Sequence, residues 1–247
     1  MKTSRLIGLH VEKGGTGKTT MSGNISAILA ASGKKVLMVD CDSQGNLTSW
    51  FVNKDIRFDL CDVLQEKAPV KDAIINLKPG LDIIGTIAID GELKEWSETT
   101  LLQKPFIFHD FIDRLQALNY DYIIFDLSPG ISSLEKAILS LMHEVVGVLL
   151  AEYFSIDGLE IFENELNKLR KDRRATFTAD KIIINRVNRS FALHKAYLSH
   201  LEKMNYTTYT IGQNTAISDC MPAHLPLVDF DSKNKYIPEF KKIAGDL

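Results

Sequence analysis

The chain predicts an α/β fold: a mostly parallel, twisted central sheet with helices on both faces. Three observations lead there. Strand-like and helix-like patterns alternate along all 247 residues. The apolar runs at 36–39 and 122–125 are unbroken, as expected for strands covered on both faces. The first strand pattern passes through a glycine-rich loop straight into the first helix pattern. With no internal repeat, low-complexity tract or linker in view, residues 1–247 read as a single domain.

Taken in order, residues 6–11 are apolar and strand-like, and residues 21–31 carry small and apolar side chains at helical spacing, closed by Gly33. Residues 35–40 form the second strand. Residues 60–65 and 70–77 look helical, with Pro69 between them, and 81–85 is a strand. Residues 106–118 repeat apolar side chains at helical spacing, and 122–125 is a central strand. A buried strand is expected at 145–151. An amphipathic helix follows at 157–171, capped by Ser155 or Asp157. Residues 181–184 read as a strand ending in Asn185, 207–211 as the last strand, and 238–247 as a closing helix.

The loop between the first strand and helix carries the chemistry. Residues 12–20 read E-K-G-G-T-G-K-T-T. Gly14, Gly15 and Gly17 permit backbone conformations closed to residues with a Cβ, which turns successive N–H groups towards one concavity. The helix beginning near Lys18 aims its N-terminal N–H groups and dipole at the same point. Thr16 and Thr20 complete the phosphate cradle. Lys18 is placed to reach the β- and γ-phosphates of a nucleotide, and the Thr19 hydroxyl to bind Mg²⁺. The ordinary pattern is G-x-x-x-x-G-K-[ST], and Gly14 is too close to Gly17 to be its first glycine. Lys13 stands close to where that loop begins.

Two further segments agree. Residues 40–47 read D-C-D-S-Q-G-N-L at a strand's carboxyl end, where ligands of parallel sheets bind. Asp40 and Asp42 are two apart and would share a face on a continuing strand. Residues 121–130 read D-Y-I-I-F-D-L-S-P-G, and Asp126 at the end of that apolar run is suited to hold Mg²⁺, directly or through water.

The loop with Lys13 resembles the deviant Walker A loop, K-G-G-x-G-K-T-T, of the ParA/MinD family of P-loop ATPases, and the ParA/Soj partition ATPases in particular. Residues 40–47 are similar to that family's D-x-D-P-Q-G-N-L, with Ser43 in place of proline. Residues 126–129 depart from its D-T-P-P, which leaves Asp126 intact and leaves open whether Ser128 or Gly130 signals nucleotide state. The resemblance implies that Lys13 crosses a dimer interface to the phosphates of the partner's ATP, so that two ATP molecules lie between two subunits. It further implies that Asp42 positions the attacking water, that Asp40 lies near the metal-water network, and that Asn185 hydrogen-bonds adenine. Slow ATP hydrolysis would then act as a timer for plasmid or chromosome segregation, with a centromere-binding, ParB-like protein stimulating turnover.

Composition bounds these expectations. The net charge of −3 makes the whole molecule no obvious polyanion binder. Three separated cysteines, Cys41, Cys61 and Cys220, form no metal-ligand pairing and fit a reduced, cytoplasmic setting. No apolar stretch is long enough for a bilayer, and no signal peptide is expected. Non-specific DNA is a further partner to weigh. The family segment that usually reads I-P-R-N-x-R-L-S-E has Gln213 and Ala216 where the arginines stand. Arg186, Arg189, His194, Lys195 and Lys203, or the basic run at 168–174, could supply phosphate contacts instead. A membrane-inserting tail is not expected, because residues 237–247 read as a helix docked through Phe240 and Ile243. The rival functions are a MinD-like positioning ATPase, an ATP-gated scaffold with little hydrolysis, and a ligase of the same fold.

Overall fold

The computed structural model describes residues 3–247 except 90, 105, 152–154 and 202. Its eight strands are β1 (Arg5–His10), β2 (Val36–Asp40), β3 (Ile74–Lys78), β4 (Leu81–Ile84), β5 (Tyr122–Asp126), β6 (Glu144–Leu150), β7 (Thr178–Val187) and β8 (Thr207–Gly212). They form one sheet in the order β3-β4-β2-β5-β1-β6-β7-β8. Every neighbouring pair is parallel except β3 with β4. The helices are α1 (Lys18–Ala31), α2 (Asn46–Phe51), α3 (Leu60–Leu64), α4 (Leu93–Thr99), α5 (Ile107–Gln116), α6 (Ser133–Leu139), α7 (Ser155–Arg173), α8 (Ala192–Leu201), α9 (Thr215–Asp219), α10 (Leu227–Phe230) and α11 (Ile237–Asp246).

The period of two along each strand divides the core into two layers. On β2, Leu37 and Val39 face one layer, and Val36 and Met38 the other; on β5, Ile123 and Phe125 oppose Ile124 in the same way. One layer is closed by Met21, Ile25 and Ile28 of α1 with Phe240 and Ile243 of α11. The other is closed by α3 to α8, with Phe108, Phe111, Phe162 and Leu166 among the buried side chains. The docking of α11 expected from Phe240 and Ile243 is therefore present, and both side chains are fully buried.

One expected element is replaced by another. Residues 70–77 are not a helix. A 3₁₀ turn, Val70–Ala73, follows Pro69, and the chain then enters the edge strand β3, antiparallel to β4. The short apolar run fits either period. The hairpin turn at Gly80, with φ of +80°, and pairing to β4 decide for the strand. The strand through Asn185 is also longer than expected, extending past it to Val187 with a register irregularity between Ile184 and Val187. The α7 helix includes the expected 157–171, but the side chains named for its cap, those of Ser155 and Asp157, lie outside what is described. Among the described residues no helix is long and apolar enough to cross a membrane.

Candidate functional site

The carboxyl ends of β1, β2 and β5 gather the predicted loop and acids. After β1 the chain turns through residues 11–17 into α1, whose N-cap is Gly17 at φ +99° with no side-chain cap. The first-turn N–H groups of α1 thus have no capping side chain, the arrangement that favours an anion. Gly15 also has positive φ, at +72°. A Cβ on Gly17 would collide with Asn185 Nδ2, so this glycine is required by both conformation and space.

The two lysines of the loop differ. Lys18 is buried and folds back on the loop, its Nζ donating to Val11 O at 3.3 Å and Lys13 O at 3.4 Å. Burial lowers its pKa, against the opposing pull of Asp126, Asp42 and Glu135. The Lys13 side chain is exposed. Thr16 is buried, whereas Thr19 and Thr20 are half-buried at the start of α1.

Asp126 lies in register with Leu9 of β1 and Asp40 of β2. Its Oδ1 accepts from Ser22 Oγ at 2.9 Å, while Oδ2 is buried with no hydrogen-bond partner. An orphaned carboxylate oxygen beside the Thr19 hydroxyl fits a hard, oxygen-seeking cation such as Mg²⁺, with phosphate and water completing the shell. Burial raises the pKa of both Asp126 and Asp40. The charge of Asp126 raises Asp40 further, while the Thr19 and Ser22 hydroxyls counter the rise at Asp126.

Asp40 and Asp42 do not share a strand face. The strand ends at Asp40, whose Oδ1 accepts the Asp42 N–H at 3.2 Å and turns the chain there. Its Oδ2 accepts from Thr48 N at 2.8 Å and Thr48 Oγ1 at 2.6 Å. Asp40 therefore braces the segment that carries Asp42. Asp42 is buried, and its Oδ1 accepts from Gln44 N at 2.9 Å.

The turn after β5 rests on the glycine loop. Gly130 N donates to Glu12 O at 3.0 Å, and Pro129 lies against Gly14. Ser128 Oγ donates to Glu135 Oε1, a buried carboxylate one turn into α6. Ser22, Thr48 and Glu135 were not among the expected site residues. Ser132 and Glu135 have the S-x-x-E spacing of a capping box, a local signal that was available. Ser22, four residues after Lys18, needed knowledge of what packs on α1.

Asn185 meets the loop from β7. Its Nδ2 donates to Thr16 O at 2.8 Å, and its Oδ1 accepts from Arg186 N at 2.8 Å. Arg186 has φ of +54° at the irregularity in β7. Beside it lies a cavity of about 310 Å³ lined by Thr20, Asn185, Arg186, Gln213, Asn214 and Met221. The expected basic stripe is only partly available. Arg186, Arg189, Lys195 and Lys203 are exposed, but His194 Nδ1 accepts from Asn188 N at 2.9 Å. On α7, Lys168, Arg170, Lys171 and Arg173 are all exposed, with Arg170 lying over the Phe177 ring at 4.8 Å.

Comparison with known proteins agrees with this fold. A family model described as an AAA domain matches residues 4–182. An uncharacterised protein of Borreliella burgdorferi is 32% identical over 243 residues, 98% of both chains. The chromosome partitioning protein ParA of Caulobacter vibrioides NA1000 is 26% identical over 98% of this chain and 93% of its own. Among solved structures, a Borrelia burgdorferi B31 protein described as a plasmid partition protein, bound to AMPPNP, superposes with a TM-score of 0.83. It has 25% identity and covers 98% of this chain and 97% of its own.

Proposed function

The chain belongs to the AAA domain family of ParA/MinD-type P-loop ATPases, and from that premise we propose that it dimerises on ATP and hydrolyses it to ADP and phosphate as a switch for partitioning plasmid or chromosomal DNA. The observation that carries this reading is the division between two lysines on one loop: Lys18 is buried against its own loop, and Lys13 is exposed.

In this reading the terminal phosphates of ATP lie on Gly14, Gly15, Thr16, Gly17 and the first turn of α1. Lys18 neutralises the β- and γ-oxygens, which relieves its own confinement among carbonyls and lowers the cost of its burial. Thr19 and Asp126 hold Mg²⁺, which supplies positive charge to oxygens that become more negative during phosphoryl transfer. Asp40 stays bound to Thr48 and keeps Asp42 in place. Asp42 accepts a hydrogen bond from the attacking water and aligns it with the γ-phosphorus. Lys13 reaches the phosphates held by a second copy and stabilises charge there, as an arginine finger does. Adenine occupies the cavity beside Asn185, which retains one N–H and one lone pair after its bonds to Thr16 and Arg186.

The partners of this reading are a second copy of the chain, a ParB-like activator and non-specific DNA held by exposed cations. The experiment is light scattering with AMPPNP, with ADP and without nucleotide, followed by binding to non-specific duplex DNA with and without ATP at low and moderate salt. A dimer with AMPPNP alone, and DNA binding that weakens with salt, are the expected results. A monomer at saturating AMPPNP overturns the switch, and no ATP-dependent DNA binding at low salt removes the partition role.

A further inference from the structure

A glutamate at the third position of a helix ordinarily completes a capping box at the surface, and one carboxylate oxygen suffices. Glu135 differs in two ways. It is 1% exposed, and it uses both oxygens. Oε2 accepts from Ser132 N at 3.0 Å and from the Ser132 hydroxyl, which completes the cap of α6. Oε1 accepts from the Ser128 hydroxyl, outside the helix and two residues beyond Asp126.

The same turn is tied to the glycine loop on both sides of Lys13, through Gly130 N to Glu12 O and through Pro129 against Gly14. Ser128 is half-buried, two residues beyond the buried Asp126. The Glu135 charge also reaches the glycine loop, since it acts on Lys18 after Asp126 and Asp42.

We propose that Glu135 is a positioning residue, a latch that holds the Ser128 hydroxyl back from the nucleotide until a γ-phosphate competes for it. The inference rests on ATP binding at Gly14 to Thr20. A γ-phosphate offers three charged acceptor oxygens where Glu135 offers one already-used carboxylate. It also brings like charge towards a buried carboxylate, which disfavours the latched arrangement. ADP brings neither, so the turn stays latched. Transfer of Ser128 then shifts the turn that touches both neighbours of Lys13, which links the nucleotide to the face that meets a second copy.

The test is the affinity for AMPPNP and for ADP of the wild type, Ser128→Ala, Ser128→Thr and Glu135→Gln. A general loss of structure weakens both nucleotides together, whereas the latch changes their ratio. Ser128→Ala is expected to lower the preference for AMPPNP over ADP about tenfold, the value of one hydrogen bond to a charged group. Ser128→Thr should preserve the preference. Glu135→Gln should tighten AMPPNP several-fold with ADP unchanged; should that variant unfold, the two Ser128 variants decide. Equal shifts for both nucleotides, or none, overturn the latch while ATP binding stands. A wild type that binds neither nucleotide overturns the ATP reading itself and the latch with it.

Discussion

Asp40 and Asp126 stand opposite each other in register at the carboxyl ends of β2 and β5, and neither is accessible to water. Two carboxylates this close and this buried cannot both be charged without cost. Burial, then mutual repulsion, pushes Asp40 up to about 8, and burial raises Asp126 to about 6. The folded state therefore binds protons more tightly than the unfolded chain, where aspartate titrates near 4. The resulting stability is complete below that value and is lost as pH rises through 6 and 8.

The nucleotide-free, metal-free protein should consequently melt higher at pH 5 than at pH 8. Asp126→Asn removes one of the two charges. At pH 8 without Mg²⁺ it should raise the melting temperature by about 3 °C, the shift that roughly 1 kcal/mol gives in a domain of this size. The same variant should lose the stabilisation that Mg²⁺ and AMPPNP give the wild type. Calorimetric scans between pH 5 and pH 8, with and without Mg²⁺ and AMPPNP, measure both effects. A wild type that gains stability from pH 5 to pH 8 contradicts this account of the two buried carboxyls.

Lys13 and Lys18 are five residues apart on one loop and should fail differently. Lys13 is exposed, so Lys13→Gln should leave stability within about 0.5 kcal/mol and ADP binding intact. It should abolish the AMPPNP dimer and lower phosphate release by about a hundredfold or more, as loss of a charge donor at transferring phosphate does. Lys18→Gln should weaken both nucleotides about a hundredfold. Light scattering and nucleotide titration separate the two outcomes. An AMPPNP dimer that survives Lys13→Gln rules out a role for Lys13 between subunits.

Asp42 is held by the bond its N–H makes to Asp40 and by the one its Oδ1 accepts from Gln44. Asp42→Ala should leave the AMPPNP dimer in place and reduce phosphate release by about 10²-fold, the usual worth of a positioned acid–base or water-orienting group. Rates equal to the wild type would remove Asp42 from catalysis. Thr48→Val offers a companion measurement, because it cuts the hydroxyl bond to Asp40, and with it the bond that hydroxyl accepts from Thr86 N. It should slow phosphate release less than Asp42→Ala does and weaken AMPPNP little.

The motifs that were legible in the sequence are contiguous ones. Lys13 to Thr20, Asp40 to Leu47 and Asp126 to Gly130 each carry spacing that a short segment fixes by itself, and the unbroken apolar run at 122–125, bounded by Asp121 and Asp126, suits a strand covered on both faces. What escaped detection depends on partners far along the chain. The bond from Ser22 to Asp126 spans 104 residues. Burial of Glu135 depends on packing around α6, although its capping box is local. Residues 74–77 form a strand where a helix is expected, because four apolar or amide side chains satisfy either period; their pairing with β4 is tertiary information.

Asn185 unites these scales, since its hydrogen bond to Thr16 O crosses 169 residues to pin the glycine loop. Asn185→Ala leaves that buried carbonyl without its donor and opens space against Gly17. Both effects act on the loop and should weaken ATP and GTP together by several-fold. The remaining N–H and lone pair of Asn185 suit the edge of adenine, which offers an acceptor at N7 and a donor at N6; guanine offers acceptors at both N7 and O6. Removing the amide should therefore cost ATP about tenfold more than GTP, because a site built to hydrogen-bond one base loses that selectivity with its polar group. Titration of both triphosphates into wild type and variant measures the two losses. Equal weakening leaves Asn185 as the anchor of the loop and assigns adenine recognition to another residue of the cavity; a larger loss for ATP places both tasks on one side chain.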